Sequence, residues 1–106
     1  MSFYFVRHQH DAATCPAQDP AAGNMLLEHI SPVNARKYDV RIKSDAVLDG
    51  EHTFVLIIEA DGQEKINKFL EPFKQAGSVE IYPASLCETV VERAGCLKKM
   101  NLCWYV

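Results

Sequence analysis

The sequence predicts an α+β sandwich, with one four-stranded antiparallel sheet and its helices on a single face. Three observations carry this. Branched and aromatic residues gather into four short runs, 3–10, 39–48, 52–60 and 78–83, each bounded by turn residues. Helical spacing of apolar residues fills the gaps after the first and third runs. The length, 106 residues, suits one hydrophobic core and leaves no room for a second.

The first run, FYFVRHQH, reads as strand one. Asp19-Pro20 then supplies an N-cap and a proline at the first helical position. Leu26, His29, Ile30 and Val33 follow at helical spacing, and Pro32 divides this region into two short helices. Val40 and Ile42 alternate with Arg41 and Lys43 at the start of strand two. Asp49-Gly50 is the strongest hairpin signal in the chain. Strand three, HTFVLIIEA, is apolar on both faces and therefore central.

Asp61 to Glu64 has the form of a capping box, with Asp in place of Ser or Thr. Ile66, Phe69, Leu70 and Phe73 place one apolar stripe on the helix that follows. These are core positions rather than a binding box. Pro72 should kink or shorten that helix, and Gly77 ends it. SVEIYP is strand four, and Ser85 to Glu88 is a second capping box, opening a helix that stops at Gly95. The tail from Cys96 could add an edge strand or meet a partner chain.

The order is thus βαββαβ with a further C-terminal helix. Right-handed crossovers fold it as a ferredoxin-like sandwich, 1–106, with strand order 4-1-3-2. Because strand three is apolar on both sides, the sheet face without helices needs a cover. A second copy supplies it most simply, so a homodimer of the dimeric α/β-barrel kind is expected, with a cavity beside the sheet.

Composition excludes other classes. Eleven Lys and Arg against fourteen Asp and Glu give a net charge of −3, without the basic footprint of a nucleic-acid module. No apolar run approaches the ~20 residues of a membrane helix. The N-terminus shows neither a basic leader nor a small-residue cleavage site, so a cytoplasmic domain is expected. The four cysteines, Cys15, Cys87, Cys96 and Cys103, contain no CxxC pair and are read as thiols. Cys87 and Cys96, flanking the last helix, are expected to be buried small apolar residues, while Cys103 stays unassigned.

The chemistry lies in Arg7-His8-Gln9-His10-Asp11 and Cys15-Pro16. On a strand, His8 and His10 share a face at ~7 Å between Cα atoms, close enough to hold one ion. Antiparallel pairing brings the end of strand one to the start of strand three, where His52 sits, and Cys15 lies in the adjoining loop. His8, His10, His52 and Cys15 are therefore the candidate ligands of a transition-metal ion, Zn, Ni, Cu or Fe, with a coordination position left open. His29 could join only if its helix leans over the same end. Asp11 and Glu28 are candidate partners to orient an imidazole. Arg7 points the other way and is available to an acid or an anion.

Two other readings use the same residues. One is a metal-free barrel enzyme acting on a small organic substrate, with His10 or His52 as acid/base, or Cys15 paired with either as a nucleophile. The other is a dimeric interaction module in which the histidines are incidental. Dinucleotide, NTP and G-x-S-x-G hydrolase motifs are missing from the sequence.

The segments Arg7–His10, Cys15–Ala17, Asp19–Pro20, Gly23, Met25–Leu27, Asp49–Thr53, Glu71–Phe73 and Tyr82–Cys87 together form an RHxH-x4-CPA pattern with later motifs. In this the chain resembles a family of short bacterial proteins; the resemblance runs up to Cys96 and implies no particular activity. The first strand also resembles that of small ferredoxin-like nickel-binding proteins, whose closely spaced histidines imply a metal-binding role. Those lack the intervening Gln9. Likeness to dimeric α/β-barrel monooxygenases and isomerases is at the level of fold alone, and fold does not fix function.

Overall fold

A computed structural model describes residues 2–96. The first strand, β1 (Ser2–Gln9), leads through two 3-10 turns to α1 (Pro20–His29) and α2 (Pro32–Lys37). A hairpin follows, β2 (Val40–Leu48) and β3 (Thr53–Ala60), then α3 (Gln63–Phe69) and α4 (Glu71–Ala76). The last elements are β4 (Ser78–Ala84) and α5 (Cys87–Glu92). The strands form one antiparallel sheet in the order β2-β3-β1-β4. Element order and strand order are those of a ferredoxin-like βαββαβ sandwich followed by a C-terminal helix. Among the described residues, no helix is long and apolar enough to cross a membrane. The tail reading and Cys103 lie outside the described residues.

The helix breaks follow from local chemistry. The Asp19 carboxylate accepts from the Ala21 amide at 3.1 Å, with Pro20 at the first helical position. Ser31 caps α2 in the same way, receiving the Asn34 amide at 3.3 Å. Pro32 therefore starts a new helix after the chain has turned. Pro72 does likewise for α4, and Leu70 is the joint between α3 and α4. Neither expected capping box forms. Gly62 is the N-cap of α3 and Leu86 that of α5, and neither start has a side-chain cap. In both cases the helix starts one residue later than the box requires, so Asp61 and Ser85 fall short of the capping position.

Alternation along β1 and β3 divides the sheet into two faces. Val6 pairs with Leu56, His8 with Phe54 and Tyr4 with Ile58, all on the helix-covered face. Leu56, Ile58, Ile66, Phe69 and Leu70 are fully buried there, with Ala35 of α2 and Phe73 of α4 in the same cluster. Removing one such side chain, as in Leu56→Ala, costs about 2–5 kcal/mol. On the other face, Phe5 lies between Ile57 and Tyr82, and the Arg7 guanidinium pairs with Glu80 at 2.8 Å. Ile57 keeps 40% of its surface exposed on this face.

One irregularity matters for the site. β2 carries a bulge between Ile42 and Ser44. Ile42 faces Ile58 on the covered side, but Ser44 pairs with Ile57 on the open side. The extra residue shifts the alternation by one, so Val47 stands opposite Phe54 on the covered side. Cys87 and Cys96, expected to be buried, are exposed free thiols, because α5 buries none of its residues.

Candidate metal centre

Strand pairing builds the site at one end of β1. His10 continues the β1 row one residue past the strand, and its amide donates to the His52 carbonyl at 3.2 Å. His52 is the last residue of the hairpin loop rather than the first of β3. It adopts a left-handed backbone, φ 50°, a region where His is tolerated better than most residues. Gly50, at φ 79°, takes the other left-handed position of the loop. Asp49-Gly50 therefore makes the turn, and its geometry directs His52 back toward β1.

Cys15 is the joint between the 3-10 turns Ala12–Thr14 and Pro16–Gln18. Its amide closes the first turn on the Ala12 carbonyl, and its own carbonyl receives the Gln18 amide. The Gln18 side chain also donates to the Ala12 carbonyl at 3.1 Å, tying the two turns together. On the opposite side, Gly77 approaches the end of β1 so closely that a Cβ there would overlap the Gln9 carbonyl oxygen. It would also lie 3.1 Å from the His10 Cα. Glycine at 77 is thus required for space.

His10, Cys15 and His52 each offer one ligand atom, and the three atoms lie within 4.8 Å of one another. All three residues are half-buried. The His10 and His52 rings are 5.5 Å apart at 72°. Both ring nitrogens of His10 are shielded from solvent and have no hydrogen-bond partner among the described residues, as is the case for Nδ1 of His8. Burial lowers the pKa of His10, reinforced by His52 and opposed by Asp11. Burial likewise lowers that of His8, reinforced by His10 and opposed by a hydrogen bond to the Ser78 backbone. Both are held toward the neutral form, which is the form that donates a lone pair to a metal.

The fourth sequence candidate, His8, sits one layer deeper. It is only 4% exposed, with its ring 5.4 Å from His10 and edge-on to Phe73 at 5.2 Å. The three-atom group forms without it. His29 does lean over the same end, but both its nitrogens are occupied. Nε2 donates to the Phe69 carbonyl at 2.7 Å, and Nδ1 accepts from the Asn34 amide group at 3.2 Å. Its ring stacks on Phe69 at 4.6 Å, as a structural histidine would. Asp11 makes no hydrogen bond to His10, whose nitrogens are both unpartnered.

The cluster opens onto a cavity of about 450 Å³ that sequence reasoning anticipated only in outline. Its walls include Met25 and Leu26 of α1, Val47 of β2, and Phe54 and Phe73. A usable signal was present: Ala46-Val47-Leu48 is an apolar run directly against a turn, where polar residues are usual. No protein-family model matches the sequence, and comparison with curated proteins finds no match.

Proposed function

We propose that the chain binds one transition-metal ion through His10, Cys15 and His52, leaving a coordination position open toward the cavity. The observation that carries this is the convergence of three ligand atoms within 4.8 Å around an imidazole with no other partner. A buried, unpaired polar group costs about 1–3 kcal/mol, which coordination would relieve. Two imidazoles and a thiolate suit Zn or Cu better than hard cations, with Fe and Ni as weaker candidates. An N2S set with a vacant position is the pattern of a reactive or sensing ion rather than a sealed structural one. The RHxH and CPA segments supply two of the three ligands, so chains sharing that pattern would share the site.

His8 supports the centre from behind, holding the His10 ring in place. Free thiols at Cys15, Cys87 and Cys96 suit a reducing compartment such as the cytoplasm. The sheet face carrying Phe5 and Ile57 is assigned to a second copy of the chain, making a homodimer. Ile57→Glu should convert that dimer to a monomer in sedimentation.

The test of the metal reading is elemental analysis of untagged protein purified without chelator. One equivalent of metal is expected, lost in His10→Ala and reduced less in His8→Ala. Protein that holds no Zn, Cu, Ni or Fe after exposure to each would overturn the proposal. The cavity also favours a second reading, metal-free acid/base catalysis by His10 or His52 on an organic substrate. Turnover that survives exhaustive chelation would select it.

A further inference from the structure

The cavity beside the cluster has a composition that restricts its occupant. Its volume, about 450 Å³, falls within the ~300–1,000 Å³ of small-molecule sites. At ~30 Å³ each, roughly fifteen waters would fill it. Phe54 and Phe73, with ring centroids 5.9 Å apart at 27°, form a stacked aromatic wall. Leu26 and Val47 add aliphatic surface, and Val47 keeps 61% exposure at the rim.

The charges are as informative. Among the described residues that line it there is neither lysine nor arginine, and their only carboxylate is the exposed Asp49. An anionic ligand therefore finds no guanidinium or ammonium partner beside the ion, and the part of it not bound to the metal would be desolvated against apolar walls.

We infer that the cavity takes a small, neutral, largely apolar organic molecule with a single donor atom. Its body packs on Phe54, Phe73, Leu26 and Val47, and its donor completes the coordination of the ion held by His10, Cys15 and His52. This inference rests on the metal reading above and adds to it the class of molecule that reaches the ion.

Cobalt-substituted protein tests it, with 4-phenylimidazole as a neutral aromatic donor. Imidazole serves as the same donor without the apolar body, and benzoate as an anion of similar size. Cobalt uptake and a thiolate charge-transfer band are recorded before any ligand is added. The expected result is saturable displacement of the cobalt d–d bands by 4-phenylimidazole, at least tenfold tighter than by imidazole or benzoate. Val47→Trp and Ala22→Leu, which narrow the cavity from two sides, should each weaken 4-phenylimidazole at least tenfold with cobalt content unchanged. Cobalt-loaded protein that binds imidazole and 4-phenylimidazole equally, or benzoate as tightly, overturns the inference and leaves the metal reading standing. Protein that takes up neither cobalt nor any of Zn, Cu, Ni and Fe overturns both.

Discussion

Two histidines line the same cavity and have opposite accounts. His29 has every polar atom engaged: Phe69 accepts from one nitrogen, Asn34 donates to the other, and the ring stacks on Phe69. The Asn34 amide group also donates to the His29 carbonyl at 2.7 Å, so one side chain fixes both ring and backbone. His10 has neither ring nitrogen engaged, though both are shielded from water. Phe73 lies near both regions, edge-on to His8 and to His29. The difference teaches that sharing a pocket does not make a histidine a ligand. A saturated imidazole stabilises the fold, and an unsaturated one waits for a partner.

Exchanging the two roles by mutation should produce the largest effects. His10→Ala is expected to lower metal affinity at least ~100-fold, more than the ~10–100-fold typical of groups that only support a ligand. Thermal stability of the metal-free protein should change little. His29→Ala should do the reverse, retaining one equivalent of metal while losing about 1–3 kcal/mol, because the Phe69 carbonyl loses its donor and the Phe69 ring its stacked partner. In a domain of this size that is a melting-temperature decrease of about 4–8 °C per kcal/mol. Metal titration and calorimetry on both variants settle the pair. Equal metal loss in the two would erase the distinction.

A second change reaches His10 through the backbone. Gly77→Ala places a Cβ against the Gln9 carbonyl and the His10 Cα. Overpacking of this kind costs about 1–3 kcal/mol. If the position of His10 makes the centre, metal affinity should fall roughly tenfold as well, a cost that His29→Ala does not incur. Gly77→Ala with unaltered affinity would show that the centre tolerates displacement of β1.

The contrast between the two histidines was only half legible in the sequence. Alternation placed His8 and His10 on one face and sent Arg7 to the other, where it pairs with Glu80. Antiparallel topology brought His52 to the same end, and the Asp19-Pro20, Pro32 and Pro72 signals marked helix boundaries correctly. These rest on short-range stereochemistry that one sequence records. What was not legible depends on tertiary contacts. Asn34 and Phe69 are 5 and 40 residues from His29, so nothing local shows that its nitrogens are engaged. The bulge after Ile42 breaks the β2 alternation, which hid Val47 from the covered face. The burial expected of Cys87 and Cys96 presumed that α5 packs into the core, which it does not.

Acid should expose the smallest of these differences, and it works through the metal-free protein. The folded-state pKa values of His8 and His10 lie below the ordinary 6.5, chiefly because burial penalises the charged ring. The unfolded chain therefore takes up protons first as pH falls. Well above pH 6.5 both states are neutral and the stability is complete. Below it, the unfolded state gains protons that the folded state does not, so stability declines until the folded rings also protonate. His8→Phe keeps an aromatic ring beside Phe73 and removes one of the two titrating groups. The decline between neutral pH and the folded-state values should become shallower in this variant when denaturant midpoints are compared across pH. His29→Phe provides the counterpart from the other region: it should lower stability at every pH while leaving the acid slope attributable to His8 and His10 in place. An unchanged slope in His8→Phe would mean that its burial does not keep it neutral, and would weaken the case that this end of the sheet is poised to donate lone pairs.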